Sequence, residues 1–200
     1  MGCTYTAILA AGDFPRRGTP AARLLDGAAR VICCDGAAQI YRRRRGRWPD
    51  AIVGDLDSFA GRADVCEIVR IAEQQTNDLD KAVRFCRERG WPQPIVFGAA
   101  GGRVDHTLGN YLRAIDLGVE IVDDCGRFVP FCGRRIFRQP KGSPFSVFAP
   151  DPRTRMTSRG LVWPLDGLRF ANLYCATLNR TDRAAVTLTT DRPAAVYAPF

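Results

Sequence analysis

Apolar residues in the first 125 positions fall in short runs separated by longer amphipathic stretches. The runs cover residues 6–11, 31–34, 51–53, 68–72, 95–97 and 119–122. Runs of this length, rich in Ile and Val and bounded by Gly, Asp or Pro, fit strands buried on both faces. Residues 78–89 and 104–117 instead carry helical spacing. Leu79, Ala82, Val83 and Cys86 share one face of the first stretch; Leu108, Leu112 and Ile115 share one face of the second. Gly90 and Gly118 follow where helix C-caps are expected. This alternation predicts an open, mostly parallel α/β sheet of Rossmann-like layout.

The pattern changes after Asp124. No helical periodicity recurs from Phe128 onward. Residues 134–138, 145–148, 160–163, 184–190 and 194–197 alternate or are β-rich, with turn-formers such as Lys141-Gly142-Ser143-Pro144 and Asp166-Gly167 between them. An antiparallel β-sandwich is expected here. The boundary falls near residue 126 and divides the chain into an α/β domain (1–126) and a β domain (127–200).

Composition narrows the chemistry. The 200 residues carry a formal net charge of +8, yet Lys81 and Lys141 are the only lysines and the remaining basic residues are arginine. A basic balance fits anionic partners, or a general preference for arginine. The run Arg42 to Arg45 reads as a solvated helix end. It lacks the interleaved aromatics of a single-strand platform, so no nucleic-acid role is expected. His106 is the only histidine, which excludes a multi-histidine zinc site. Eight cysteines include no Cys-x-x-Cys pair. With no signal-like opening and no apolar run near 18 residues, a reduced cytoplasmic protein with no membrane segment is expected.

Candidate chemistry gathers where the predicted strands end, the edge that binds ligands in open α/β sheets. The second strand runs into Asp35-Gly36-Ala37 and the third into Gly54-Asp55-Leu56-Asp57-Ser58. The fourth leads to Gln74-Gln75-Thr76-Asn77-Asp78-Leu79-Asp80-Lys81, and the fifth to Gly98-Ala99-Ala100-Gly101-Gly102-Arg103-Val104-Asp105-His106. Any one Asp is most simply a cap or turn former. Together they crowd negative charge that Mg²⁺ with substrate phosphates relieves. In an extended loop, Asp55 and Asp57 would point to the same side. Gly98, Gly101 and Gly102 lead into a helix whose N-terminal N–H groups suit an anion, and Arg103 adds a planar fork. Neither a Walker A loop nor G-x-G-x-x-G is present. Lys81, three residues after Asp78, is a surface ion pair or a phosphate-holding cation. His106 is a base or, more simply, a first-turn residue that steadies the loop.

These blocks, in this order, resemble thiamine pyrophosphokinase. The resemblance also takes in Leu9-Ala10-Ala11-Gly12-Asp13-Phe14-Pro15, the Gln74/Asp78/Lys81-Ala82 segment, Asn110, and Gly160-Leu161-Val162-Trp163-Pro164-Leu165. It implies an ATP-binding α/β domain and a β-sandwich that binds thiamine and forms a homodimer. It further implies Mg²⁺-dependent transfer of the pyrophosphoryl group of ATP to the thiamine hydroxyl, releasing AMP. By matching position, Asp55, Asp57, Asp78, Asp105 and Arg103 would be catalytic, with Asp55, Asp57 and Asp78 on the metal. Gly12, Asp35, Lys81, Gly101, Gly102, Arg103, His106 and Asn110 would bind ATP. Gln74, Thr177 and Asn179 would face thiamine. Leu178 stands where the family usually has Ser, Asn77 where Thr is usual, and Asp13 where Glu is common. Two other readings stand beside this one: pyrophosphoryl transfer to a different acceptor alcohol, and a non-catalytic binder of nucleotide or thiamine.

Overall fold

A computed structural model describes residues 4–59, 66–91 and 93–200. The chain divides into two compact bodies. The first holds the residues up to 113 together with 119–124; the second holds 114–118 and 125–200.

The first body is built on six parallel strands: β1 (Thr6–Leu9), β2 (Arg30–Cys34), β3 (Ala51–Gly54), β4 (Glu67–Arg70), β5 (Pro94–Phe97) and β6 (Glu120–Val122). Their order is β6-β5-β1-β2-β3-β4, and every pairing is parallel. Every residue of β1 and β3 is buried, as continuous apolar runs require when both faces are covered. The chain steps outward from β1 to β4, then returns to place β5 on the other side of β1. The order therefore reverses between β1 and β5, where open sheets offer a crevice to ligands.

The helices are α1 (Pro20–Asp26), α2 (Ala37–Arg45), α3 (Asp78–Glu88) and α4 (Val104–Leu117). Thr19 caps α1 by accepting the Ala22 N–H, with Pro20 in the first turn where its missing N–H is harmless. α3 buries Leu79, Ala82, Val83 and Cys86, the face that its periodicity predicts. Gly90 follows α3 at φ +63°, the left-handed conformation that glycine adopts without strain. α4 departs from expectation. Ile115 is buried, but Leu108 and Leu112 are 60% and 45% exposed. Periodicity establishes that a helix has an apolar face; it does not say what covers that face.

Several arginines lie over aromatic rings in this body. Arg42 stacks on Trp48 at 4.4 Å, Arg45 on Phe14, Arg47 on Tyr41, and Arg30 on Trp91.

The second body is antiparallel. Long strands β7 (Gly126–Arg138) and β11 (Ala185–Pro199) pair over most of their length, with an irregularity between Thr190 and Ala194. β8 (Pro144–Phe148) and β9 (Met156–Arg159) pair with different halves of β11, and β10 (Ala176–Arg180) pairs with β8. Their inward residues Phe131, Phe137, Phe145, Val186 and Leu188 form one core, together with Phe170 from the segment between β9 and β10. Residues 160–163 are not a strand. Their β pairing is a single isolated bridge, Leu161 to Thr181, and Trp163 and Pro164 are exposed. Phe170 is fully buried, whereas Trp163 and Tyr174 are 57% and 67% exposed.

Candidate active site

The site begins with a cation that the sequence places at the start of α3. Asn77 caps the helix by accepting the Asp80 N–H at 2.9 Å, so Asp78 and Lys81 lie one turn apart on one side. Lys81 is only 1% exposed, and its Nζ lies 3.3 Å from Asp78 Oδ1. Among the described residues, that carboxylate is the only hydrogen-bond partner of the ammonium. A buried lysine with unspent donors is rare in a stable core and favours an anion as partner.

Asp35, directly after β2, lies near Asp78. It takes a left-handed backbone (φ +43°) and is 5% exposed. Its Oδ2 accepts the Ser58 N–H at 3.0 Å, while Oδ1 is buried with no hydrogen-bond partner among the described residues. Burial pushes the Asp35 carboxyl above the usual carboxylate range. The Ser58 N–H opposes that rise, and the charges of Asp78 and Asp55 add to it. A Cβ on Gly54 would sit 3.0 Å from Asp35 Cβ and 3.5 Å from Asp78 Oδ1, so glycine here lets β3 pass close under both acids. Burial also drives the Cys34 thiol far upward, with Asp78 and Asp35 reinforcing it; this cysteine stays a neutral thiol.

Asp55 is organised differently. Its Oδ2 accepts from the Gln74 amide at 3.0 Å and its Oδ1 from the Asp57 N–H at 3.1 Å. Those two bonds hold its pKa below the usual value, and Lys81 adds to the effect. The loop is not extended, because Leu56 adopts φ +68°. Asp57 is therefore exposed and turned away from the alignment that an extended loop would give. Among the described residues, no three His, Cys, Asp or Glu side chains converge in metal-ligating geometry. Asp55, Asp57 and Asp78 occupy one edge without forming a closed cage.

The glycine segment is welded to the loop after β1. Gly12 N–H donates to Gly98 O at 2.9 Å and Asp13 N–H to Ala100 O at 2.7 Å. A Cβ on Gly12 would overlap the carbonyl oxygens of Ala100 and Gly98. Gly101 has φ +94° and lies against the Asp13 carboxylate, while Gly102 has φ +65°. The Asn110 side chain donates to Ala99 O at 3.0 Å and fixes the loop from within α4. Arg103 and Asp105 form an exposed bidentate pair at 3.1 and 2.6 Å, which pulls the Asp105 pKa down to about 2. His106 is exposed, and its backbone N–H supports Asp105.

In the second body, Thr177 Oγ1 donates to Tyr174 O at 2.8 Å. Asn179 is buried. Its Nδ2 donates to Trp163 O at 2.7 Å, and its Oδ1 accepts the N–H groups of Trp163 and Arg180. Its amide thus clamps the Trp163 segment. Leu178 between them has φ +61° and is 84% exposed.

Two supporting residues escaped the sequence reading. Glu73 accepts from the Gln75 and Thr76 N–H groups and from Thr76 Oγ1, closing the turn that presents Gln74 and Asp78. Its signal was the Glu73-x-x-Thr76 spacing, overshadowed by the richer blocks around it. Asp80, 8% exposed, receives two N–H groups of Arg113 at 2.7 Å and ties α3 to α4. Nothing in the local pattern separates that carboxylate from its neighbours.

The arrangement resembles known proteins throughout its length. Residues 21–119 match the family described as thiamin pyrophosphokinase, catalytic domain. Thiamine pyrophosphokinase 2 of Arabidopsis thaliana is 30% identical over 231 aligned positions, covering 95% of this chain and 84% of the relative. Thiamin pyrophosphokinase 1 of Caenorhabditis elegans is 28% identical over 133 positions, covering 60% of this chain and 55% of that protein. The crystal structure of thiamin pyrophosphokinase from Geobacillus thermodenitrificans shares the fold, with a TM-score of 0.75 at 20% identity and 98% coverage of both chains. Identity of 30% across most of both proteins, on a shared fold, makes this chain an enzyme of the thiamine pyrophosphokinase family.

Proposed function

We propose that the chain transfers the pyrophosphoryl group of ATP to the hydroxyl of thiamine, giving thiamine diphosphate and AMP. The observation that carries this reading is the Lys81 ammonium, buried at a strand-end edge against Asp78 and within electrostatic reach of Asp55, with donors to spare. A polyphosphate satisfies those donors, and the carboxylates in turn call for a divalent cation. The carboxylate donors are all oxygen, and the buried Asp35 Oδ1 has no hydrogen-bond partner among the described residues, which fits Mg²⁺ held jointly with phosphate oxygens. Asp55, Asp57 and Asp78 are the residues that would hold it. When bound, Mg²⁺ neutralises phosphate charge as the leaving group departs.

The chain's own groups do the rest. Lys81 holds a phosphate oxygen from a buried position, where its charge acts strongly. The Gly98–Gly102 loop, stiffened by Gly12 and Asn110, offers backbone N–H groups to the triphosphate. Arg103 swings from its exposed pair with Asp105 to a phosphate at little cost, since such a surface pair is weak. Asp105 and His106 steady that helix start. A carboxylate, Asp57 or Asp78, takes the hydroxyl proton as the oxygen attacks the β-phosphorus in line. Gln74 orients Asp55 and lies at the acceptor side. The protein works in the cytoplasm as a homodimer whose β-sandwich half carries the acceptor contacts. No described helix is long and apolar enough to cross a membrane.

The test is AMP release from ATP with thiamine and Mg²⁺. ADP in place of AMP overturns the proposal. One observation keeps a second acceptor in view: Thr177 and Asn179 already spend their polar groups on Tyr174 and Trp163, and Leu178 projects outward. A screen of acceptor alcohols in which thiamine is inactive and another alcohol is consumed with AMP release would establish that reading instead.

A further inference from the structure

The second body contains a cavity of about 740 Å³ between the start of β9, the 167–169 turn and the middle of β11. That volume suits a small organic molecule. Its framework is rigid. Thr154 N–H and Oγ1 both donate to Asp151 O, at 3.0 and 2.6 Å. Arg155 N–H donates to Asp191 Oδ1 at 2.8 Å, and Asp191 N–H returns to Arg155 O at 3.2 Å. The register Met156 to Thr190 and Thr157 to Thr189 then fixes the wall.

The lining is amphipathic. Met156, 4% exposed, and the half-buried Leu168 belong to the core and give an apolar floor. Arg153, Arg155 and Arg169 line the same cavity. Asp151 takes up the fork of Arg153 at 3.0 and 2.8 Å and also lies 3.3 Å from Arg192. The Arg155 and Arg169 guanidiniums have no carboxylate partner among the described residues. Three arginines, Arg153, Arg155 and Arg169, therefore line one concave wall, and among the described residues only Arg153 has a carboxylate partner, Asp151. Like charges held together by a fixed backbone repel, and an anion removes that repulsion. Planar guanidinium forks match tetrahedral oxyanions, and Thr157 and Thr189 line the same cavity.

We propose that this cavity binds a small organic phosphate, with the phosphate on Arg155 and Arg169 and the carbon body on Met156 and Leu168. None of these residues takes part in the pyrophosphoryl transfer proposed above, so the two ideas stand or fall separately.

Titration with phenyl phosphate, followed by backbone amide NMR, tests it on the full chain without Mg²⁺. Saturable shifts at Thr157, Arg169 and Thr189 are expected, with an affinity at least about fivefold above that of inorganic phosphate because the ring covers the floor. Arg155→Gln with Arg169→Gln should weaken binding about tenfold or more. Both side chains are exposed, so this variant keeps its fold; Arg155→Lys with Arg169→Lys retains charge and should fall between. Shifts confined to other residues, or an affinity unchanged by the double Gln variant, overturn the site. Equal affinity for phenyl phosphate, inorganic phosphate and benzoate overturns the assignment to organic phosphates.

Discussion

Replacing Lys81 with Met separates the functional account of this lysine from a structural one. Methionine keeps the length and apolar volume of the stem and removes the charge. The lysine is 1% exposed, but the side chain of its partner Asp78 is 36% exposed. Breaking a fully buried pair costs about 3–5 kcal/mol because one charge is orphaned. Here the orphan is Asp78, which already touches water and rehydrates. Exchanging a desolvated ammonium for an apolar group offsets most of what remains, so stability should change by less than about 1 kcal/mol in either direction. Activity should respond very differently. Losing a preorganised charge that stabilises a moving phosphoryl group costs about 2.7–4 kcal/mol, or 10²- to 10³-fold. Urea denaturation supplies the first number and AMP release with saturating thiamine the second. A stability loss above about 3 kcal/mol, or kcat/KM within a few-fold of wild type, refutes the reasoning. The reciprocal variant Asp78→Asn leaves the charge inside with a neutral partner. It should cost about 1–3 kcal/mol, discounted for the exposure of Asp78.

Other consequences are open to measurement. Asp35 has a raised folded-state pKa, so its contribution to stability is present below the unfolded value of about 3.9 and is lost as pH rises through the folded value. Asp35→Asn, which retains an acceptor for Ser58 N–H, should therefore gain on wild type between pH 4 and pH 7 in denaturation series; a constant difference across that range contradicts the burial argument. Gly12→Ala should destabilise by about 1–3 kcal/mol through overlap with the Ala100 and Gly98 carbonyls, with a matching rise in the KM for ATP. Asn179→Ala strips both hydrogen bonds from the Trp163 backbone and should cost about 2–4 kcal/mol in chemical denaturation; a large rise in thiamine KM at unchanged stability would reassign that amide to the acceptor.

The parallel sheet is legible because its inner strands carry short continuous apolar runs, although the edge strand β4 (Glu67–Arg70) is half-exposed, and α3 is legible because its apolar positions recur at helical intervals and meet the sheet. β9 and β10 were not readable. They are short, half-exposed segments dominated by Thr, Ser, Asn and Arg with too few apolar residues to set a period, and only pairing with β11 and β8 makes them strands. In the site, residue types at strand ends were legible, since glycine and aspartate cluster there for reasons of backbone freedom and charge. Directions were not. The left-handed backbone at Leu56 separates Asp55 from Asp57, and no local rule announces a leucine in that conformation. The depth of Lys81 was equally hidden, because spacing relative to Asp78 reads the same in a pocket and on a surface.

The arginines that lie over Trp48, Phe14, Tyr41 and Trp91 give the basic composition a second meaning. A guanidinium over a ring still faces water along its edge, so those over the half-buried Trp48, Phe14 and Trp91 shield aromatics that would otherwise be sticky spots on the surface. An ammonium is compact and strongly hydrated and leaves more of the ring bare. Recoding these positions from arginine to lysine would preserve the net charge of +8 and yet make the protein more prone to self-association. The poverty in lysine therefore has a colloidal benefit, and light scattering of such a charge-neutral recoding would register it.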